Sequence, residues 1–501
     1  MATHGVEAGT RPHRFLVPGL VFVGMVVAVG SSLGAPLIPT VAADEHVSLG
    51  DAQWMLTIVY LVSAVATPVM GRLGDGRRQR ATVLAGLAIV AMGGFLAALP
   101  LGFAALLAGR ACQGVGLGLT PLAITAVRDV LPAERARPAV AMLSITTVAG
   151  VGLGYPITAL IAQVGGLHAA FWFGAGVAVA ALAAAAVVLP SSAHRPASPL
   201  DLAGAAALGV GLAGLMLAIS EGPSWGWGSP LLIAVVVASL AVLAGWVVLE
   251  LHRRHPLVEI RLLRRPVILT ADASAVLAGV GMYLMLSVVT RLVQTPVSSG
   301  YGLGGSITVA GLMMTPLSAA SVAASSATRV LLRRLRPAHI LPLGAASLLG
   351  ASALFAYVHG SLAAIAAVQA VFGFGVGAIF AVMPGFIVTS VPAHETGSAL
   401  SFNQVLRYIG YGIGSSLSAV VLQAATIPGH ALPAGSGYTT SGLVGCAVWA
   451  ATVGIAVLLP RVLTRRPAGE HLAGEHPAEE MEMESIAGAL PREECLPGEA
   501  D

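Results

Sequence analysis

The sequence predicts an all-α polytopic membrane protein in which two repeated six-helix bundles flank two further helices, about 14 spans in all. Three observations predict it. The chain of 501 residues is 56% hydrophobic and only 10% charged, with a mean hydropathy of +0.86. A water-soluble fold of this length could not cover its surface with so few charges. Its strongly basic residues are all arginine, and they collect in alternate connections between apolar segments. Finally, two stretches about 260 residues apart read as copies. The first holds Gly114, Gly116 and Gly118, then Pro132, then Gly150, Gly152 and Gly154. The second holds Gly373, Gly375 and Gly377, then Pro392, then Gly410, Gly412 and Gly414. Proline to following glycine is 18 positions in each copy.

Apolar segments run near 15–40, 53–71, 81–100, 103–127, 138–163, 169–189, 201–220, 230–250, 267–289, 306–328, 338–357, 362–388, 397–424 and 441–460. Each suffices for a hydrocarbon core of ~30 Å. The first follows Arg11 and Arg14 but is too long for a signal peptide and runs straight into a second span. The expected organisation is an N-terminal six-helix bundle over 1–190, two inserted helices and linkers over 191–266, a C-terminal six-helix bundle over 267–466 and an acidic tail over 467–501. The tail carries ten acidic residues against Arg492 and reads as disordered. A solvated tail and a regulatory or partner-binding one are both compatible with that composition. Cys112, Cys446 and Cys495 have no framework spacing, which argues against disulfide scaffolding and metal chemistry.

Charge placement orients the bundle. Arg72, Arg77, Arg78 and Arg80 form one group, Arg128, Arg135 and Arg137 the next, followed by Arg195. Then come Arg253, Arg254, Arg261, Arg264 and Arg265, then Arg329, Arg333, Arg334 and Arg336, then Arg461, Arg465 and Arg466. The connections around 41–52, 164–168, 221–229, 358–361 and 425–440 hold none. The positive-inside rule puts the arginine-rich side and both termini in the cytoplasm. The positive residues face anionic headgroups rather than nucleic acid.

Between spans 2 and 3 the chain reads Gly71-Arg72-Leu73-Gly74-Asp75-Gly76-Arg77-Arg78-Gln79-Arg80. This resembles the cytoplasmic signature loop of the major facilitator superfamily. Gly71, Leu73 and Asp75 fit, whereas Gly76 stands where a basic residue is expected, and Arg78 or Arg80 takes its place. The resemblance implies a gate in which Asp75 meets the N-terminus of the helix starting near Gly397. A carboxylate there is favourable by about 0.3–1 kcal/mol. It also implies that Asp129 pairs with this loop. The alternative is an ordinary basic loop.

Span 4 holds Arg110-Ala111-Cys112-Gln113-Gly114. It resembles the superfamily's arginine motif, and the resemblance associates Arg110 with proton coupling. An arginine about 10 Å inside a spanning helix needs a partner or a polar cavity; otherwise it snorkels to the interface. The repeat places Gln369 at the same offset from its glycines. Span 5 holds Gly150, Gly152, Gly154, Tyr155 and Pro156 and resembles the antiporter motif of exporters. Tyr155 interrupts the Gly-Pro pair, and Ala159 stands where a glycine is expected. A plain small-residue packing face is the alternative.

Asp201-Leu202-Ala203-Gly204, then Glu221 through Gly228 with Trp225 and Trp227, then His255-Pro256-Leu257-Val258, are similar to the fourteen-spanner drug:proton antiporter branch, of multidrug efflux type. That branch commonly has an acid in span 1; here Gly30 falls near its place, and residues 15–43 contain no acid. The clearest buried acid is Asp272, about 9 Å into span 9, serving as proton carrier or as an interfacial partner of Arg264 or Arg265. Arg407 lies about 15 Å into span 13, where a charge is a functional hypothesis by default; it could bind an anionic group or hold Asp272. Gln113, Tyr283, Gln369, Asn403 and Arg407 are the candidate cavity residues, with Gln404 and Tyr408 adding polarity.

The expected function is proton-driven export of small amphipathic molecules or drugs across the cytoplasmic membrane by alternating access. A narrow-substrate metabolite exporter or importer of the same fold is the rival. An enzyme is not expected, because the chain has no Walker loop, metal cluster or nucleophile–base pair. The expected partners are a small molecule, protons and lipid, with no cofactor, no metal and no nucleic acid, on a monomer.

Overall fold

The computed structural model describes residues 16–74, 78–123, 133–189, 201–253, 256–331, 337–388, 390–391, 396–427 and 432–464. Its helices are α1 (Leu16–Ser32), α2 (Ile38–Asp44), α3 (Leu49–Gly74), α4 (Gln79–Ala98), α5 (Phe103–Gly114), α6 (Ala133–Val188), α7 (Leu202–Trp225), α8 (Pro230–His252), α9 (Pro266–Gln294), α10 (Ile307–Leu312), α11 (Thr315–Leu331), α12 (Pro337–Tyr357), α13 (Leu362–Val388), α14 (Thr396–Ala424) and α15 (Ser436–Thr464). No strand occurs among the described residues. Twelve helical stretches among them are long and apolar enough to cross a membrane. The protein is thus an all-helical, multi-pass membrane protein. α1 falls short of that length at 17 residues. The two segments expected at 138–163 and 169–189 appear as one run, α6, whose two helices meet at Gly166 with φ 83°, a backbone conformation that favours glycine.

Small residues set how closely the helices approach, as expected where lipid removes the hydrophobic drive for association. α14 lies along α9. A Cβ on Gly279 would fall 2.6 Å from the Arg407 carbonyl, and Cβ atoms on Gly410 and Gly414 would strike the Val276 and Val280 carbonyls. The sequence repeat reappears as repeated packing. A Cβ on Gly114 of α5 would fall 2.6 Å from the Val59 carbonyl of α3, and one on Gly373 of α13 would strike the Leu317 carbonyl of α11. Arg110 bonds Met55, and Gln369 bonds Met314, each pair being 55 residues apart.

Burial separates central from peripheral helices. In α9, 83% of the spanning stretch is buried, against 17% in α8, which presents Leu231, Ile233, Val237 and Leu240 outward. α7 is the inner member of this pair. Asp201 caps it by accepting the Gly204 N–H at 2.9 Å and also pairs with Arg253 at 3.4 Å. Ser229 caps α8, with Pro230 in its first turn. α7 covers the line where α3 meets α14: Met216 abuts Gly412, and Ser220 donates to Ser416 at 3.1 Å. The connection after α8 buries Leu257, Val258 and Leu262 and is tied to α3 by Arg72, which donates to the Pro256 carbonyl.

Candidate substrate and proton site

The site lies where α3, α5 and α6 face α9 and α14. A polar ladder crosses this seam. Gln53 of α3 donates to Ser287 of α9 at 3.2 Å and to Ser415 of α14 at 2.7 Å, and Thr57 donates to Ser415 at 3.3 Å. The seam is also tied at its arginine-poor end: Gln294 donates to the Pro36 carbonyl at 2.9 Å, and the Thr308 N–H donates to Gln163 at 3.3 Å. Below the ladder sits a tyrosine cluster. The Tyr60 hydroxyl bonds that of Tyr283, and the rings of Tyr60, Tyr283 and Tyr411 lie with centroids 4.4–5.2 Å apart. Tyr408 donates to the Leu117 carbonyl at 3.2 Å, again across the seam.

Arg110 does not snorkel. It is fully buried, 0% exposed. Its Nε donates to the Met55 carbonyl at 3.2 Å, and its Nη1 donates to the Gly30 carbonyl at 3.1 Å and to Gln113 Oε1 at 2.6 Å. One guanidinium therefore joins α1, α3 and α5. Gln113 is its side-chain acceptor. Among the described residues no acidic side chain meets the guanidinium, and Nη2 has no partner.

Asp272 is 1% exposed, inside α9. Asn403 of α14 donates to Oδ1 at 2.9 Å, while Oδ2 has no partner. Among the described residues Asp272 has no arginine partner, the arrangement offered as an alternative to a proton carrier. Arg265 instead donates to the Ser390 carbonyl, and the Arg407 guanidinium lies 4.5 Å from the centre of the Phe380 ring. That ring supplies an attractive π-face without a carboxylate. Arg110 and Asp272 are not bonded to each other. Gln369 is fully buried, its Nε2 on the Met314 sulfur at 3.4 Å and its Oε1 unpaired.

The antiporter-motif residues lie in the continuous part of α6. Gly154 accepts a 2.8 Å bond from Thr158, Tyr155 is buried, and the helix continues through Pro156. The glycine missing at Ala159 is supplied by the facing helix: a Cβ on Gly311 of α10 would fall 2.8 Å from both Ala159 Cβ and the Tyr155 carbonyl. The burial of Gly150 lies outside the described residues, as do Asp75 and Asp129 of the expected gate. Of the rest, Gly71 has open space at its Cβ position, Arg78 is exposed before α4, and Arg80 donates to the Ala186 carbonyl at 2.6 Å.

Sequence reasoning named Tyr283 but missed Tyr60 and Tyr411 and the ladder. A signal existed. Gln53, Thr57, Tyr60, Ser63 and Thr67 recur at helical spacing along α3, and all are buried. Arg291, buried at the arginine-poor end of α9, also went unremarked. Among the described residues no cluster of His, Cys, Asp and Glu could hold a metal ion.

The family model "Major Facilitator Superfamily" matches residues 20–415. The chain belongs to the Major Facilitator Superfamily. It is a transporter of that family and not an enzyme. Within the superfamily it is similar to the tetracenomycin C resistance and export protein of Streptomyces glaucescens, 27% identical over 84% of this chain and 78% of that one. It is likewise similar to multidrug resistance protein 3 of Bacillus subtilis, 24% identical over 81% and 79%, and to multidrug resistance protein Stp of Mycobacterium tuberculosis, 27% identical over 78% and 73%. The crystal structure of the peptide transporter POT in complex with sulfate shares the fold, with a TM-score of 0.63 at 15% identity, over 89% of this chain and 95% of that one.

Proposed function

We propose that this superfamily member is a proton-coupled exporter of small amphipathic molecules, working by alternating access across the cytoplasmic membrane. In this reading 14 spans form two six-helix bundles, over 1–190 and 267–466, with α7 and α8 inserted between them and both termini cytoplasmic. The observation that carries it is Asp272: a buried carboxyl on the most central helix, with Asn403 on one oxygen and nothing on the other. Such a group in the hydrocarbon zone is costly unless it takes up a proton or gains a partner. Taking the proton on one side and giving it up on the other is what coupling requires. The seam's closed end is arginine-poor, hence outward by the positive-inside rule, so release and recapture of protons here face the cytoplasm. Gly71, Asp75, Arg78, Arg80 and Asp129 form the cytoplasmic gate in this scheme. The resistance and export proteins among the relatives support the direction. The fourteen-span branch is supported by α1 and by the turn at Gly166, which add to the twelve long stretches.

Everted membrane vesicles test it. Respiring vesicles that contain the protein are expected to accumulate an aromatic dye and to lose it on adding a protonophore. Accumulation that needs ATP and ignores the protonophore contradicts the reading.

A further inference from the structure

The transport cycle proposed above gives the inserted pair α7–α8 no task, yet α7 reaches the seam itself. The polar ladder does not end at α14. Ser416 lies 3.5 Å from Thr57 of α3 and accepts the Ser220 hydroxyl of α7 at 3.1 Å. A line of hydroxyls therefore runs from α3 over α14 to α7. One turn below Ser220, Met216 reaches the tyrosine layer. A Cβ on Gly412 would meet Met216 Cε at 2.5 Å and Sδ at 3.0 Å, with Tyr60 Cβ 3.8 Å away. Lower still, a Cβ on Gly209 of α7 would lie 3.4 Å from Val65 Cγ2 of α3. The face that makes these contacts is a single stripe. Leu208, Leu212, Met216 and Ser220 recur at every fourth position, and the first three are buried. α8 backs the other side of α7: a Cβ on Gly211 would fall 2.5 Å from Leu243 Cγ, and one on Gly214 would strike Ser239 Oγ. α8 in turn leaves Val237 exposed on its outer face. The placement of α7 matters when the seam opens. Gln53 and Thr57 must then leave Ser287 and Ser415. Polar groups freed against lipid find no replacement partner, and that is costly. On this flank the layer behind α3 and α14 is α7 rather than lipid, so water can replace the broken bonds.

We infer that α7 is a side wall of the transport pathway: it closes the α3–α14 flank to lipid, and Met216 lines the pathway beside the tyrosine cluster. A methionine suits such a wall, because its unbranched, polarizable side chain adapts to apolar partners of different shape. α8 shields this wall from the bilayer. The inference rests on the reading of the seam as the substrate pathway, and it assigns a role to the inserted pair within it.

The test places single cysteines in the full-length protein after Cys112, Cys446 and Cys495 are replaced by serine. The purified proteins are held in nanodiscs, where both faces meet the reagent. The probe is 2-(trimethylammonium)ethyl methanethiosulfonate, a water-borne cation, and the readout is the mass of the intact protein over time. Acid and alkaline pH are both used, to sample the proposed carrier Asp272 with and without its proton. Ser415→Cys, in the ladder, reports water entering the seam; Val237→Cys, on the outer face of α8, reports lipid. The reacting thiolate forms in water and not in hydrocarbon, so Met216→Cys is expected to label within about tenfold of the Ser415→Cys rate and about a hundredfold faster than Val237→Cys. A Met216→Cys protein as inert as Val237→Cys, while Ser415→Cys reacts, overturns the inference and leaves the seam standing as the pathway. Ser415→Cys inert at both pH values overturns the reading of the seam, and this inference with it. Should Met216→Cys fail to fold, Leu212→Cys, one turn along the same buried face, decides by the same comparison.

Discussion

Arg110 and Asp272 are the two buried charges on which the account turns, and they are stabilised unequally. Arg110 has one side-chain acceptor, Gln113, and two carbonyls. Gln113→Leu removes the side-chain acceptor and leaves the guanidinium in place. Bonds to charged groups contribute about 1.5–3 kcal/mol, so a clear fall in the unfolding temperature in detergent is expected. Gln113→Glu, which restores a stronger acceptor, should recover it; equal melting of all three proteins would show that Gln113 does not support Arg110. Both charges were legible in the sequence, because a charge inside a 20-residue apolar run is costly unless it snorkels or finds a partner. Their partners were not. Asn403 lies 131 positions from Asp272, and the carbonyls of Gly30 and Met55 leave no trace in residue type. Arg407 was read as a charge that could bind an anionic group or hold Asp272; either reading leaves its neighbour Phe380, a contact that no spacing rule joins, unforeseen.

Helix pairs obey the glycine pattern more closely than any other feature. Gly114, Gly373, Gly377, Gly410 and Gly414 of the two sequence copies are positions where a neighbouring backbone carbonyl comes closest, so the repeat was legible and its physical purpose at those positions followed from it. What the pattern could not tell is which glycines tolerate a methyl group. Gly410 and Gly414 abut carbonyls of α9, whereas Gly30 faces open space. Gly410→Ala is therefore expected to cost about 1–3 kcal/mol through overpacking. Gly30→Ala should be neutral or stabilising by up to about 1 kcal/mol from helix propensity. Thermal unfolding of the two variants side by side checks this, and a Gly410→Ala protein as stable as the parent would refute the close α9–α14 approach. Element boundaries were the weaker part of the reading. The first apolar segment yields a 17-residue helix followed by a break, and the fifth and sixth run together until Gly166. The departure at Ala159 became intelligible only when Gly311 was seen to face it.

At the scale of the whole molecule, the ties at Gln294–Pro36 and Gln163–Thr308 join the two sides of the seam at one end, and the proposed alternating access requires them to part. Cysteines at Gln163 and Thr308, in a protein with Cys112, Cys446 and Cys495 replaced by serine, should be joined by a short bis-methanethiosulfonate linker. Flux is expected to stop on linking and return on reduction; undiminished flux in the linked protein would mean that this end does not open. The central claim is that Asp272 carries the proton. It is tested most directly in proteoliposomes, by comparing the parent with Asp272→Asn for both gradient-driven accumulation and equilibrium exchange of an aromatic dye used as the probe. The account expects Asp272→Asn to lose proton-driven accumulation while it still exchanges the probe. Accumulation by Asp272→Asn at the parent rate, with the parent's dependence on pH, would contradict it.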